Sequence, residues 1–258
     1  MEGKQVLLSK TDIHELGKTL LEIGTLLMSS GANSMRIRTT VERISDAFGV
    51  NTELLITHRA LMITISDMDE ERYHSSLKRT SPHGVNFKMV SGISRMSWKV
   101  LEEEWSIEQI NEELNRLCSL PHYNRLVILL MVSLAGAAFC RIFGGSWMDM
   151  LISFGATFAG LFIRQEAAKR NFNTYLCIFF GAFTASIIAN IFIRFGGISE
   201  HALATSVLFL VPGVPLINSF SDLIDGNIMN GIVRSINGLL IAFAIALGLL
   251  LAIQIVQF

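Results

Sequence analysis

The feature that most constrains this chain is how unevenly its charges are spread. Residues 119–258 carry 12 charged side chains in 140 positions, whereas residues 1–118 carry 31. A water-soluble fold needs far more polar surface than the second part offers. The second part also contains apolar stretches long enough to cross a bilayer, such as 171–193 and 235–258. The whole-chain figures, 51% hydrophobic with a formal net charge of -1, conceal this division. The expected architecture is an all-α membrane bundle of about five transmembrane helices (residues 121–258), preceded by a cytoplasmic α+β domain (residues 1–120).

The N-terminal part reads as two helices, a few strands and a further helix. Ile13, Leu16, Leu20, Ile23 and Leu27 recur at helical spacing over 9–30, and Gly31 ends the run. Asn33 or Ser34 caps a second helix reaching Phe48, with Gly49 as its stop. Residues 53–58 and 60–66 predict strands, Asp67–Glu71 a charged turn, 72–84 an irregular connection and 85–90 a third strand. Ser106 and Gln109 form a capping box for a helix through Cys118. The acidic balance of this part, 17 acidic against 14 basic residues, argues against a nucleic-acid partner.

Five spans are expected in the second part, near 126–143, 147–163, 174–193, 202–219 and 234–256. Arg125, Arg164, Lys169, Arg170 and Arg234 fall on one side and only Arg141 and Arg194 on the other. The side richer in basic residues faces the cytoplasm, which puts the N-terminus inside the cell and the C-terminus outside an inner (plasma) membrane.

Enzyme signatures are absent from the sequence. It holds no GxxxxGK[ST] phosphate loop, HExxH, GxSxG or CxxC pattern. Cys118, Cys140 and Cys177 have neither disulfide nor zinc spacing and read as buried small hydrophobes. His58 with Asp67 as parts of a triad, the pair His74 and His83 as metal ligands, and the acids Asp67, Asp69, Glu70 and Glu71 as a cation loop are the candidate chemical groups. Each reads better as solvated loop chemistry. No cofactor and no metal site are expected.

One stretch stands apart, running from Leu208 to Gly226. Pro212, Gly213 and Pro215 interrupt what would otherwise be the fourth span, and Asn218, Ser219, Asp222 and Asp225 follow. Proline removes a backbone donor, and the freed carbonyls must be satisfied or must line a polar cavity. Broken helices of this kind form substrate sites in transporters; the bland alternative is a kink that aids packing. Asp222 or Asp225 is a candidate proton-coupling group. Arg141, Arg164 and Arg234 are candidate partners for an anionic substrate, or interfacial residues that reach for the headgroups. Arg141 and Asp149 read as an interfacial pair, and Glu166 with Arg170 as a pair along one helix.

Three stretches carry a family resemblance. They are Gly24–Gly49, with Leu27-Met28-Ser29-Ser30-Gly31-Ala32-Asn33-Ser34 and a helix ending Ala47-Phe48-Gly49; Phe139-Cys140-Arg141 with Gly144-Gly145-Ser146-Trp147; and Ser206–Gly226, with the core Val211-Pro212-Gly213-Val214-Pro215-Leu216-Ile217-Asn218. On these the chain resembles the threonine/serine exporter (ThrE) family, in its YjjP-type branch. The resemblance implies a cytoplasmic domain joined to five membrane helices, and one subunit of a split secondary exporter. It also implies a small YjjB-like membrane subunit as partner, and a small anionic or zwitterionic cargo: succinate for the split pair, threonine or serine for the fused form. Besides the lipid bilayer, a second copy of the chain is a further partner to consider. The alternative function is a membrane-anchored metabolite sensor whose N-terminal domain binds the ligand.

Overall fold

The computed structural model describes residues 10–67, 72–80, 84–121, 123–194 and 200–257. The candidate cation ligands Asp69, Glu70, Glu71 and His83, and the side chain of Arg194, lie outside these. The described chain forms two compact units. The first holds the residues up to Pro121 together with Val214–Ser235, and the second holds the remainder up to Gly213 and from Ile236 onward.

In the first unit, α1 (Lys10–Ser29) and α2 (Ser34–Ala47) follow the sequence reading closely. Gly31, at φ +87°, ends α1 in the left-handed region that glycine enters without strain. Three antiparallel strands follow in the order β1 (Asn51–Ile56), β2 (Ala60–Ser66), β3 (Tyr73–Arg79). β2 alternates, so that Leu61, Ile63 and Ile65 all point into the core and are fully buried. α1 lies on this sheet at close range. A Cβ on Gly24 would overlap the Leu61 side chain, and one on Gly17 would overlap the His74 ring.

Two sequence expectations fail here. Residues 73–79, expected to be irregular, form β3. The strand is polar (Tyr-His-Ser-Ser-Leu-Lys-Arg) because it is an edge with little to bury, so it gives no hydrophobic signal. Residues 85–90, expected to be a strand, instead enter α3 (Phe87–Glu103). The Asn86 side chain accepts from the Met89 N–H, and Met89, Val90, Ile93, Met96 and Val100 form one buried helical face. β1 also starts earlier than expected, at Asn51, and ends at Ile56, where the Thr57 hydroxyl accepts from the Ala60 N–H to close the turn. α4 (Ile107–Cys118) carries the expected capping box between Ser106 and Gln109.

The later helices are α5 (Arg125–Ile142), α6 (Trp147–Lys169), α7 (Thr174–Arg194), α8 (Glu200–Ser206), α9 (Gly213–Ile224) and α10 (Ile228–Gln257). Among the described residues three helical segments, Arg125–Ile142, Thr174–Phe192 and Ile228–Val256, are long and apolar enough to cross a membrane. The count rises to four if Glu200–Leu210 and Gly213–Ile224 make one bent span; α6 falls short of this measure. The helix is interrupted within the segment expected to be the fourth span. α8 gives way to a 3-10 turn (Leu208–Leu210), and Val211 is extended (ψ 125°), as a residue before proline must be. Pro212 follows at the break, while Pro215 sits in the first turn of α9, where no helical donor is lost. One proline stops a helix and the other starts one.

Small residues bring the helices of the second unit together. A Cβ on Gly160 would lie 2.7 Å from the Gly181 carbonyl oxygen, and one on Gly248 would lie 2.9 Å from that of Phe179.

β3 gives the first unit a pH dependence. The Nδ1 atoms of His14 and His74 lie 3.1 Å apart, so at least one must carry a proton and one must not. Burial, then the neighbouring His14 and Lys18, hold the pKa of His74 below its ordinary 6.5. The unfolded chain therefore binds this proton more readily than the folded one, and the stabilisation present above about pH 6.5 is lost as pH falls from there through the lower folded-state pKa. Hydrogen exchange of the β3 and α1 amides is expected to speed up between pH 7.5 and 5.5 after correction for intrinsic rates. His74→Gln should flatten that dependence.

Candidate functional site

The α9–α10 hairpin in the first unit assembles a buried polar junction. α9 is amphipathic: Asn218, Ser219 and Asp222 share one face, while Ile217, Phe220 and Ile224 are exposed on the other. The hairpin turns at Gly226 (φ +80°), and its two arms pack so closely that a Cβ on Gly231 would lie 2.6 Å from Leu223 Cγ. Asn218 and Asp222 are four residues apart, as are Asn230 and Arg234, so each arm presents a polar pair on one face.

Both pairs meet the loop between α1 and α2. Asp222 is fully buried. Its Oδ1 accepts from the Ser34 N–H at 2.9 Å, and its Oδ2 lies 3.1 Å from Arg234 Nη1, an ion pair without the alignment of a hydrogen bond. Ser34 is the first residue of α2, and Asn33 already accepts from the Arg36 N–H, so Asp222 satisfies a second orphan donor at the positive end of that helix. Arg234 also donates to the Ala32 carbonyl at 3.1 Å, and Asn218 to that of Gly31 at 2.7 Å. Asn230 donates to the Ile56 carbonyl at 2.9 Å and to the Ser34 hydroxyl at 3.3 Å. The Arg234 charge reaches as far as His58, whose pKa is lowered by burial first, then by Arg59 and Arg234.

Of the residues singled out by sequence, Asn218, Asp222 and Arg234 come together here. Ser219 is buried but donates to the Leu216 carbonyl of its own helix at 2.7 Å. Asp225 is exposed at the hairpin turn, which leaves Asp222 as the only buried one of the two acids. Pro212 and Gly213 mark the break, and Pro215 the first turn of α9. Arg141 and Arg164 belong to the second unit. Arg141 donates to the Gly145 carbonyl at 3.1 Å and covers the Trp147 ring, while Asp149 closes the capping box of α6 with Ser146. Arg164 is half-buried, with its Cβ against Gly181. Glu166 takes Arg125, at 3.2 Å, and Lys169, at 3.9 Å, as its ion-pair partners, in place of the expected pairing along the helix to Arg170. Ser34 and Asn230 were missed as site residues. Asn230, an amide in an apolar helix four residues before an arginine, was the available signal.

Helices long and apolar enough to cross a membrane, a small sheet and a helix broken at Pro212 define the class as a mostly helical membrane protein. A family model described as "Putative threonine/serine exporter" matches residues 18–256. The chain belongs to the threonine/serine exporter (ThrE) family. It is 26% identical to the "Probable succinate transporter subunit YjjP" of Klebsiella aerogenes over 94% of this chain and 95% of that protein. Identity to the protein of the same name in Escherichia coli is 27%, over 91% and 92%. The "Threonine/serine exporter" of Corynebacterium glutamicum is 25% identical, over 90% of this chain but 50% of its own length. No solved structure matches the chain. The family match gives no support to the sensor alternative and indicates no catalytic activity.

Removing either partner of the ion pair leaves the other charge buried alone. Asp222→Asn is expected to destabilise the protein by about 3–5 kcal/mol. The double variant Asp222→Asn with Arg234→Gln should be less destabilised than the two single effects combined, by about 1–3 kcal/mol. Chemical unfolding of the four proteins in detergent measures this coupling.

Proposed function

We propose that this chain is one subunit of a secondary exporter of small carboxylates or amino acids in the inner membrane, with its N-terminal domain in the cytoplasm. The observation that carries the reading is the Asp222–Arg234 pair. A guanidinium and a helix N-terminal N–H are the donors that recognise a carboxylate, and here an internal carboxylate occupies them. A cargo carboxylate reaching Arg234 would exchange with Asp222 and release the α1–α2 loop from the hairpin. The break at Pro212 supplies the hinge for such a movement, and five membrane passages put the C-terminus outside.

The relatives support a split assembly. Two proteins of nearly the same length are named as subunits of a succinate transporter, and the chain spans about half of an exporter named for threonine and serine. A small YjjB-like membrane protein is the expected partner, and succinate, serine and threonine are the cargoes to test. Within the second unit, Arg141 and Arg164 are further candidate partners for an anionic cargo.

Export from cells carrying both subunits and preloaded with labelled succinate, serine or threonine tests the reading. Wild type should export at least one of the three only when both subunits are present. Pro212→Ala and Pro215→Ala together, and Arg234→Gln alone, should each lower that export at least ten-fold per molecule, after normalisation to the folded protein present in the membrane. Equal export by these variants would reduce the segment to a packing element.

A further inference from the structure

The α9–α10 hairpin has a second face, which the polar junction leaves open. Ile217, Phe220 and Ile224 lie at i, i+3 and i+7 of α9, on the side of the helix away from Asn218 and Asp222. They are 68%, 65% and 84% exposed. On the other arm Ile228, Met229 and Ile232 are exposed too, and Ile228 and Ile232 lie opposite Asn230 and Arg234 round the helix. All four polar side chains converge on residues 31–34. Both apolar faces therefore turn away from the rest of the first unit.

The continuation of the hairpin identifies what meets these faces. α10 runs on without a break, and Ile228–Val256 is 29 residues, about 43 Å at about 1.5 Å per residue. The hydrocarbon core is about 30 Å thick and takes about 20 residues. Residues 236–255 are such a stretch, with Asn237 and Gln254 as its only polar side chains. Residues 228–235 are left over, and Asn230 and Arg234 among them belong outside the hydrocarbon. The division between the two units falls at the same place, between Ser235 and Ile236. α9 has 12 residues, about 18 Å, too short to cross the core, and Asp225, Gly226 and Asn227 alone separate it from α10. An exposed apolar face so close to a membrane-crossing helix meets lipid at the level of the headgroups.

We propose that α9 lies in the plane of the membrane, with Ile217, Phe220 and Ile224 set into the boundary between headgroups and acyl chains, and that the phospholipid layer is the partner of this face. A helix of this kind buries its apolar side about 5–10 Å into that boundary. Exposed Arg36, two residues past Ser34, and exposed Arg59, three residues past the Ile56 carbonyl that Asn230 binds, suit anionic headgroups at the rim. α9 then adds no crossing of its own, and α10 still starts from the side of the N-terminal domain. The Asp222–Arg234 pair lies at the membrane surface, about one helix diameter, ~10 Å, above the acyl chains. The seat of α9 in lipid stands without the export reading; only the access it gives a water-borne cargo to Arg234 rests on that reading.

The test places a spin label at Ile217→Cys, Phe220→Cys or Ile224→Cys, one at a time, in the full chain carrying Cys118→Ala, Cys140→Ala and Cys177→Ala. The protein is held in nanodiscs of anionic and zwitterionic phospholipid, without cargo. Collision with oxygen, which enters the acyl region, and with a water-soluble nickel chelate gives the depth of each label. All three labels should meet oxygen, at depths within about 3 Å of one another and about 5–10 Å below the phosphates. Met229→Cys, on the other arm, serves if one of the α9 variants does not fold. A depth that changes by about 10 Å from residue 217 to residue 224 would mean that α9 stands upright, and would overturn the proposal. Labels shielded from both reagents would show a protein neighbour on this face, and labels open to the chelate alone would show water; either result would overturn it as well. An in-plane α9 in a chain that exports none of the three cargoes would uphold the membrane seat while removing its role in export.

Discussion

A fully buried carboxylate needs partners, and the first unit is organised around supplying them to Asp222. Desolvating two charges costs several kcal/mol per ion, and their mutual attraction offsets this only when the surrounding donors and acceptors are also in place. Asp222 has Arg234 and the first N–H of α2. Arg234 has the Ala32 carbonyl, and the amides Asn218 and Asn230 bind the carbonyls of Gly31 and Ile56. Gly31 must end α1 where it does, and α2 must begin at Ser34, for these groups to converge. The unit therefore includes a hairpin from far along the chain, joined to the loop between its first two helices by polar bonds.

Such a junction is a poor device for stability alone, since an apolar contact of the same volume would serve as well or better. Under the function proposed above, it suits a contact that opens, because an ion pair can be exchanged for another of the same chemistry, such as a cargo carboxylate. α9 has one face committed to the loop and an exposed apolar face formed by Ile217, Phe220 and Ile224.

Much of this was legible in the sequence because it rests on strong local signals. The caps at Asn33 and Ser106 and the proline pair all act within a few residues of themselves. β3 was not legible, because an exposed edge strand such as Tyr73–Arg79 buries little and shows no apolar alternation. α3 was misread at its start because Val85–Val90 reads as an apolar strand until Asn86 is recognised as a cap. Asn218, Asp222 and Arg234 stood out as polar groups among apolar neighbours. Their destination did not, because Ser34 lies 188 residues from Asp222 and no local pattern encodes that pairing.

The account stands on the exchange of Asp222 for a cargo carboxylate. Hydrogen exchange of the two-subunit assembly, with and without saturating succinate, serine or threonine, measures it directly. Exchange should rise in the peptides covering residues 31–37, where the Ser34 N–H loses its acceptor, and should change in those covering 218–234. The cargo that produces the change should be the one exported. Unchanged protection of both segments under a cargo that is demonstrably exported would contradict the account.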